Sequence, residues 1–115
     1  MHEISVLYEV VKYAEKQAIA NNLNKIDEIV LEVGELSGIL PIFLEKYYSV
    51  VVIDSSCLRD SKLTLQITPG EAICNECEVL YNVQKNDGLC PNCESTNKTI
   101  LGGKDFIISK LIAYS

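Results

Sequence analysis

Four of the chain's five cysteines fall in two Cys-x-x-Cys pairs, Cys74 with Cys77 and Cys90 with Cys93, with twelve residues between the pairs. Each pair can turn two thiolates to one side of a tight loop. Two such loops joined by a stretch of hairpin length complete a tetrahedral four-cysteine shell around one Zn(II). Gly88 and Pro91 suit the turns this requires. Two disulfides would go with a secretory leader, but Glu3 and Glu9 stand where a leader carries basic residues. A redox dithiol would account for only one pair. The zinc reading accounts for both. Four cysteines leave no open coordination position, so this zinc is structural and other chemistry has to be sought elsewhere. Cys57 has no cysteine partner in its segment and reads as an ordinary packed thiol.

The single histidine is residue 2. With a free Met1 amine, that nitrogen, the His2 amide and the His2 imidazole can grip one metal through adjoining five- and six-membered rings. These fill three corners of a square, the geometry preferred by Ni(II) and Cu(II) rather than Zn(II). Met1 is expected to be retained before a side chain as large as His. Glu3 can offer a fourth ligand through its amide or its carboxylate; equally, it suits the first turn of a helix, where the dipole favours an acid. Nothing in the chain combines a nucleophile, a base and an orienting group, so an enzyme is not expected.

The elements that must position these residues follow from periodicity. Ile4, Leu7, Val10, Val11, Ala14 and Ala18 recur at helical spacing and predict a helix from about Ser5 to Ala20, ending at Asn21-Asn22. Ile29, Leu31 and Val33 alternate with Glu28, Val30 and Glu32, predicting a half-buried strand. Pro41 can open a second helix with Phe43, Tyr47, Val50 and Val51 inward, although the β-branched run Val50 to Ile53 locally prefers a strand. Lys62 to Thr68 alternates cleanly as a strand and Pro69-Gly70 ends it. Gly102-Gly103 precedes a last strand from Lys104 to Tyr114. The two hinge dipeptides make the cysteine segment, about Glu71 to Leu101, an insertion between two strands of one sheet.

With 115 residues, the chain is one domain by length, or a small α/β body with a metal-stapled module. The net charge is −6. Residues 71–98 set Glu71, Glu76, Glu78, Asp87 and Glu94 against Lys85 and Lys98, the wrong sign for a nucleic-acid backbone. The longest apolar run, Ile39 to Leu44, falls far short of the ~20 residues that span a bilayer. A cytoplasmic protein without a membrane or nucleic-acid partner is expected.

Met1-His2-Glu3, the amphipathic helix, the strand and loop I-V-L-E-V-G-E-L-S, the two cysteine pairs and the closing G-G-K-D-F-I-I-S-K-L come in the order of the HypA family of hydrogenase maturation factors. The chain resembles that family over essentially its whole length. The resemblance implies a nickel metallochaperone delivering Ni(II) to the large-subunit precursor of a nickel–iron hydrogenase, or in some organisms to urease, together with a nickel-handling GTPase. It implies His2 as nickel ligand with Met1 and Glu3 beside it, and zinc on Cys74, Cys77, Cys90 and Cys93. The expected fold is α+β: a small mixed sheet with two helices over residues 1–70 and 102–115 forms the nickel-binding domain, with a four-cysteine zinc ribbon inserted at 71–101. A monomer or weak dimer is expected. The alternative is a zinc-ribbon module for protein interaction or nucleic-acid binding without a nickel role. The β-branched run at 50–53 and Pro69-Gly70 depart from what the resemblance leads one to expect, and bear on the packing of the second helix and the angle between the lobes.

Overall fold

The computed structural model describes residues 3–114. Helix α1 (Glu3–Ala20) starts two residues before the expected Ser5, and Glu3 lies in its first turn, where a carboxylate suits the helix dipole. Its buried face is Val6, Leu7, Val10, Val11, Ala14 and Ala18. Ile4, expected in that stripe, is 41% exposed, and Val6 is buried instead. The helix ends as the Asn pair predicts: Asn22 adopts φ 55°, Leu23 N–H bonds the Ala18 carbonyl at 2.8 Å and Asn22 N–H bonds that of Ile19 at 3.2 Å. This is the paired closure that follows a left-handed residue.

Strand β1 (Glu28–Gly34) is the central strand of a three-stranded sheet. β2 (Lys62–Thr68) runs parallel to it, Ile29 facing Leu63 and Val33 facing Ile67. A parallel neighbour needs a crossover, and helix α2 (Pro41–Val52) lies within it. β6 (Phe106–Ile112) closes the other side antiparallel, with a bulge opposite Val30 and Leu31. It is shorter at both ends than the expected 104–114 strand. α1 and α2 pack together, and their apolar faces join Ile29, Leu31 and Val33 in one core.

The inward stripe of α2 differs from the expected one. Leu44, Tyr48, Val51 and Val52 are buried; Phe43 and Tyr47 are less so, and Val50 is exposed. Positions 44, 48, 51 and 52 follow the i, i+4, i+7, i+8 spacing of a core stripe, one step round the helix from Phe43 and Tyr47. The β-branched stretch stays helical through Val52, because two of its valines complete this buried face.

Inserted between β2 and β6 is a second three-stranded sheet, order β4-β3-β5, made of β3 (Glu71–Cys74), β4 (Leu80–Asn82) and β5 (Lys98–Gly102). Its apolar cluster is separate from the first and small: Ala72, Cys74, Tyr81 and Cys90 are its buried members. A compact chain of this length has a radius of gyration near ~13 Å. The observed 17.6 Å, with extents of 54 × 24 × 17 Å, reflects two lobes end to end.

The chain passes between the lobes through a close glycine junction. A Cβ on Gly34 would lie 2.2 Å from the Gly103 carbonyl oxygen, and Gly103 itself has φ +85°. Neither obstacle is a side chain that can swing away. Gly34→Ala is therefore expected to destabilise the fold by at least the ~1–3 kcal/mol typical of overpacking, lowering a thermal melting midpoint by several degrees. An unchanged midpoint would show that the junction is looser than this packing.

Candidate metal centre

The Cys-x-x-Cys turns repeat one local design. In the first, Cys74 N–H bonds the Val79 carbonyl at 2.9 Å, Glu78 N–H bonds the Cys74 carbonyl at 2.9 Å, and Glu76 N–H points to Cys74 Sγ at 3.4 Å. In the second, Cys90 N–H bonds the Ser95 carbonyl at 3.0 Å, Glu94 N–H bonds the Cys90 carbonyl at 2.8 Å, and Asn92 N–H points to Cys90 Sγ at 3.4 Å. The residue after each second cysteine is left-handed, φ 63° at Glu78 and 62° at Glu94. That conformation is uncommon for a residue with a Cβ, and it turns the chain so that amides face the sulfurs. Such N–H···S contacts stabilise thiolates.

The four sulfurs meet. Cys74 and Cys93 Sγ are 3.6 Å apart, Cys77 and Cys90 Sγ are 3.4 Å apart, and all four lie within 4.8 Å of one another. A tetrahedron with Zn–S bonds of about 2.3 Å has edges of about 3.8 Å, so the arrangement fits Zn(II) with little movement. Cys74 and Cys90 are buried, Cys77 is half-buried and Cys93 is exposed.

Their acidities differ as a crowded anionic cluster should. Hydrogen bonds from Asn92 and the Val79 backbone bring Cys77 down to about 6. At Cys93 an amide hydrogen bond from Ser95 favours the thiolate, but the sulfurs of Cys74, Cys77 and Cys90, with desolvation, push the thiol up to about 12. Full ionisation of such a cluster calls for a cation at its centre. Tyr81, buried in the same lobe, has its phenol pushed upward by burial and by the same four sulfurs, and its hydroxyl has no hydrogen-bond partner among the described residues. Cys57 lies outside the cluster, packed half-buried against the larger core.

Of the residues expected at the second metal site, Met1 and His2 lie outside the described residues. Glu3 opens α1, and its Oε2 accepts the Leu40 N–H at 3.2 Å, tying the start of α1 to the residue before α2. Beside it Phe43 and Tyr47 stack at 6.3 Å, and these two rings with Glu3 and Ile4 line a shallow cavity of about 230 Å³.

One residue that periodicity and motif did not single out is Glu35. Its Oε1 accepts the Gly70 N–H at 2.7 Å and Asn82 Nδ2 at 3.0 Å, and its carbonyl accepts Gln84 Nε2 at 2.8 Å. The Gly70 amide foremost, then Asn82, holds its carboxyl below the usual range. The available sequence signal was an acid directly after Gly34, but its partners lie 35 to 49 residues away.

Among the described residues, no helix is long and apolar enough to cross a membrane. A family profile described as "Hydrogenase/urease nickel incorporation, metallochaperone, hypA" matches residues 1–113. The hydrogenase maturation factor HypA of Francisella philomiragia is 34% identical over 112 residues, 97% of this chain and 98% of that protein. The protein of that name from Shewanella sp. strain MR-7 is 30% identical over 111 residues, 96% of this chain and 93% of its own length. The solution structure of the nickel metallochaperone HypA from Helicobacter pylori covers 97% of each chain, with TM-score 0.67 and 25% identity.

Proposed function

The chain belongs to the HypA family of nickel metallochaperones, which are not enzymes, and we propose that it binds Ni(II) at Met1, His2 and Glu3 and hands the ion to the large-subunit precursor of a nickel–iron hydrogenase. The observation that carries this reading is the family match from residue 1, which includes Met-His-Glu. Geometry adds that Glu3 is fastened to the entrance of α2. In this reading residues 1–70 and 102–115 form the nickel-carrying domain and residues 71–101 the zinc ribbon, with Cys74, Cys77, Cys90 and Cys93 as zinc ligands. A bound Zn(II) supplies cross-linking and charge neutralisation, and no catalytic chemistry. The work is done in the cytoplasm, with a nickel-handling GTPase as partner.

The cargo is held by nitrogen. The Met1 amine, the His2 amide and the His2 imidazole form the adjoining chelate rings that square-planar Ni(II) prefers. Glu3 is the candidate for the fourth corner, and in the structure its carboxylate accepts the Leu40 N–H. A site that must give up its ion should be sensitive to competitors for the same lone pairs. Protons are the simplest.

Nickel affinity is therefore expected to fall between mildly alkaline and mildly acidic pH. Protons compete for an imidazole whose unperturbed pKa is ~6.5 and for an α-amine near ~8. Isothermal titration of Ni(II) into zinc-loaded, tag-free protein above and below the imidazole pKa checks this, with restoration of hydrogenase activity in a strain lacking the chaperone as the cellular test. Flat affinity across the range would remove imidazole and amine from the ligand set. Failure to restore maturation would remove the recipient.

A further inference from the structure

The two lobes have separate apolar clusters, so no shared hydrophobic core sets the angle between them. Both hydrogen bonds that the structure shows between residues 3–69 and 72–101 end on Glu35: Asn82 Nδ2 to its Oε1 and Gln84 Nε2 to its carbonyl. The same Oε1 accepts the N–H of Gly70, and the Glu35 N–H bonds the Thr68 carbonyl at 2.9 Å, so one residue grips both the ribbon and the chain entering it. We propose that Glu35 is the positioning residue that fixes the zinc ribbon in one orientation on the α/β lobe, and that withdrawing its side chain releases the ribbon to swing about the connections at residues 69–71 and 102–104.

The partners are built to receive it. Asn82 is itself held, its Oδ1 accepting the Lys85 N–H at 2.9 Å and its carbonyl accepting Asn86 Nδ2 at 2.8 Å, so its amide presents a fixed donor. Gly70 can come close only because it lacks a Cβ, which would sit 2.6 Å from the Leu36 side chain. With the side-chain bonds lost, the ribbon keeps its two covalent connections, the exposed Gln84 Nε2 bond to the residue-35 carbonyl and two backbone bonds at the pivot itself, Leu36 N–H to the Gly103 carbonyl at 2.7 Å and Val83 N–H to the Gly70 carbonyl at 2.8 Å. The orientation is a separate equilibrium from the folding of either lobe, and it is independent of the nickel reading.

A single acceptor oxygen takes both the Gly70 and Asn82 donors, which separates geometry from charge. Glu35→Gln keeps an oxygen at that position and should keep the ribbon docked, whereas Glu35→Ala removes it. The test is ¹⁵N relaxation and small-angle scattering on full-length, zinc-loaded wild type, Glu35→Gln, Glu35→Ala and Asn82→Ala. Wild type and Glu35→Gln should tumble as one body. In Glu35→Ala, amides of residues 72–101 should lose the common correlation time, the Gly70 amide should lose exchange protection and the radius of gyration should rise, at one zinc per chain and unchanged helix content. Asn82→Ala should move the same way and carries the test if Glu35→Ala does not fold. Common tumbling in both alanine variants would overturn the proposal, as would a Glu35→Gln protein as mobile as Glu35→Ala.

Discussion

Substituting Ser for any one of Cys74, Cys77, Cys90 or Cys93, or stripping the metal with a strong chelator, is expected to unfold the ribbon and leave the helices and the β2-β1-β6 sheet standing. The asymmetry follows from the two cores. The larger contains Leu7, Ile26, Ile29, Leu31, Leu44 and Leu58, each essentially inaccessible to solvent, and owes nothing to a metal. The ribbon buries Ala72, Tyr81 and two of the cysteines themselves, too little apolar surface to offset the ordering of about thirty residues at ~1–2 kcal/mol each. Structural zinc in small modules supplies roughly 10–16 kcal/mol of apparent binding free energy, and because the site exists only in the folded module that energy is folding free energy. Replacing Cys74 or Cys90 also leaves the amide that faces its sulfur, Glu76 N–H or Asn92 N–H, facing a hydroxyl. Amide exchange should show Ala72 and Tyr81 losing protection while Leu31 and Val33 keep theirs, with zinc content falling below one per chain. A metal-free protein with Ala72 and Tyr81 still protected would show that the ribbon stands without its ion.

What the sequence revealed and what it hid divide along a physical line. Local signals were legible. The stop at Asn21-Asn22, the Pro41 helix start, the strand from Lys62 to Thr68 and the two Cys-x-x-Cys turns each depend on residues within a few positions of one another, and the structure has each where it was expected. Signals set by neighbours distant in sequence were not. Val30 alternates with the core residues of its strand and reads as outward, yet it is 5% exposed, because β1 is the central strand and Thr64 and Lys110 flank it on either side. Periodicity alone puts the inward face of α2 one step off, since an apolar run such as Val50 to Ile53 has no polar residue to mark the solvent side. Gly70 and Gly103 read as punctuation between elements, but they are close-contact positions at the lobe junction. Glu35 is not singled out by motif or periodicity. Its meaning lies in partners that only the fold brings to it.

The proposed terminal nickel site makes the second large prediction, because no residue inside the chain can replace an α-amine. One extra residue left before Met1 turns that amine into an amide and removes the first donor of the chelate; His2→Ala removes the imidazole. Each is expected to weaken Ni(II) binding at least tenfold, which corresponds to about 1.4 kcal/mol, and to abolish hydrogenase maturation. Zinc content and melting temperature are expected to stay as they are. Glu3 then discriminates between ligand atoms. Its carboxylate is engaged by the Leu40 N–H, and Glu3→Gln leaves an amide oxygen able to accept the same bond while leaving the backbone nitrogen untouched. If Glu3 ligates through that nitrogen, Glu3→Gln should bind nickel nearly as tightly as the wild type. If it ligates through the carboxylate, the loss should approach that of His2→Ala, because the oxygen would have to leave Leu40 and a neutral amide is a poorer donor to the metal. Titration of Ni(II) into tag-free, extended, His2→Ala and Glu3→Gln proteins, each first shown to hold one zinc, reads all of these together. Equal affinity in the first three would move nickel away from the terminus, and with it the reason for a histidine at position 2.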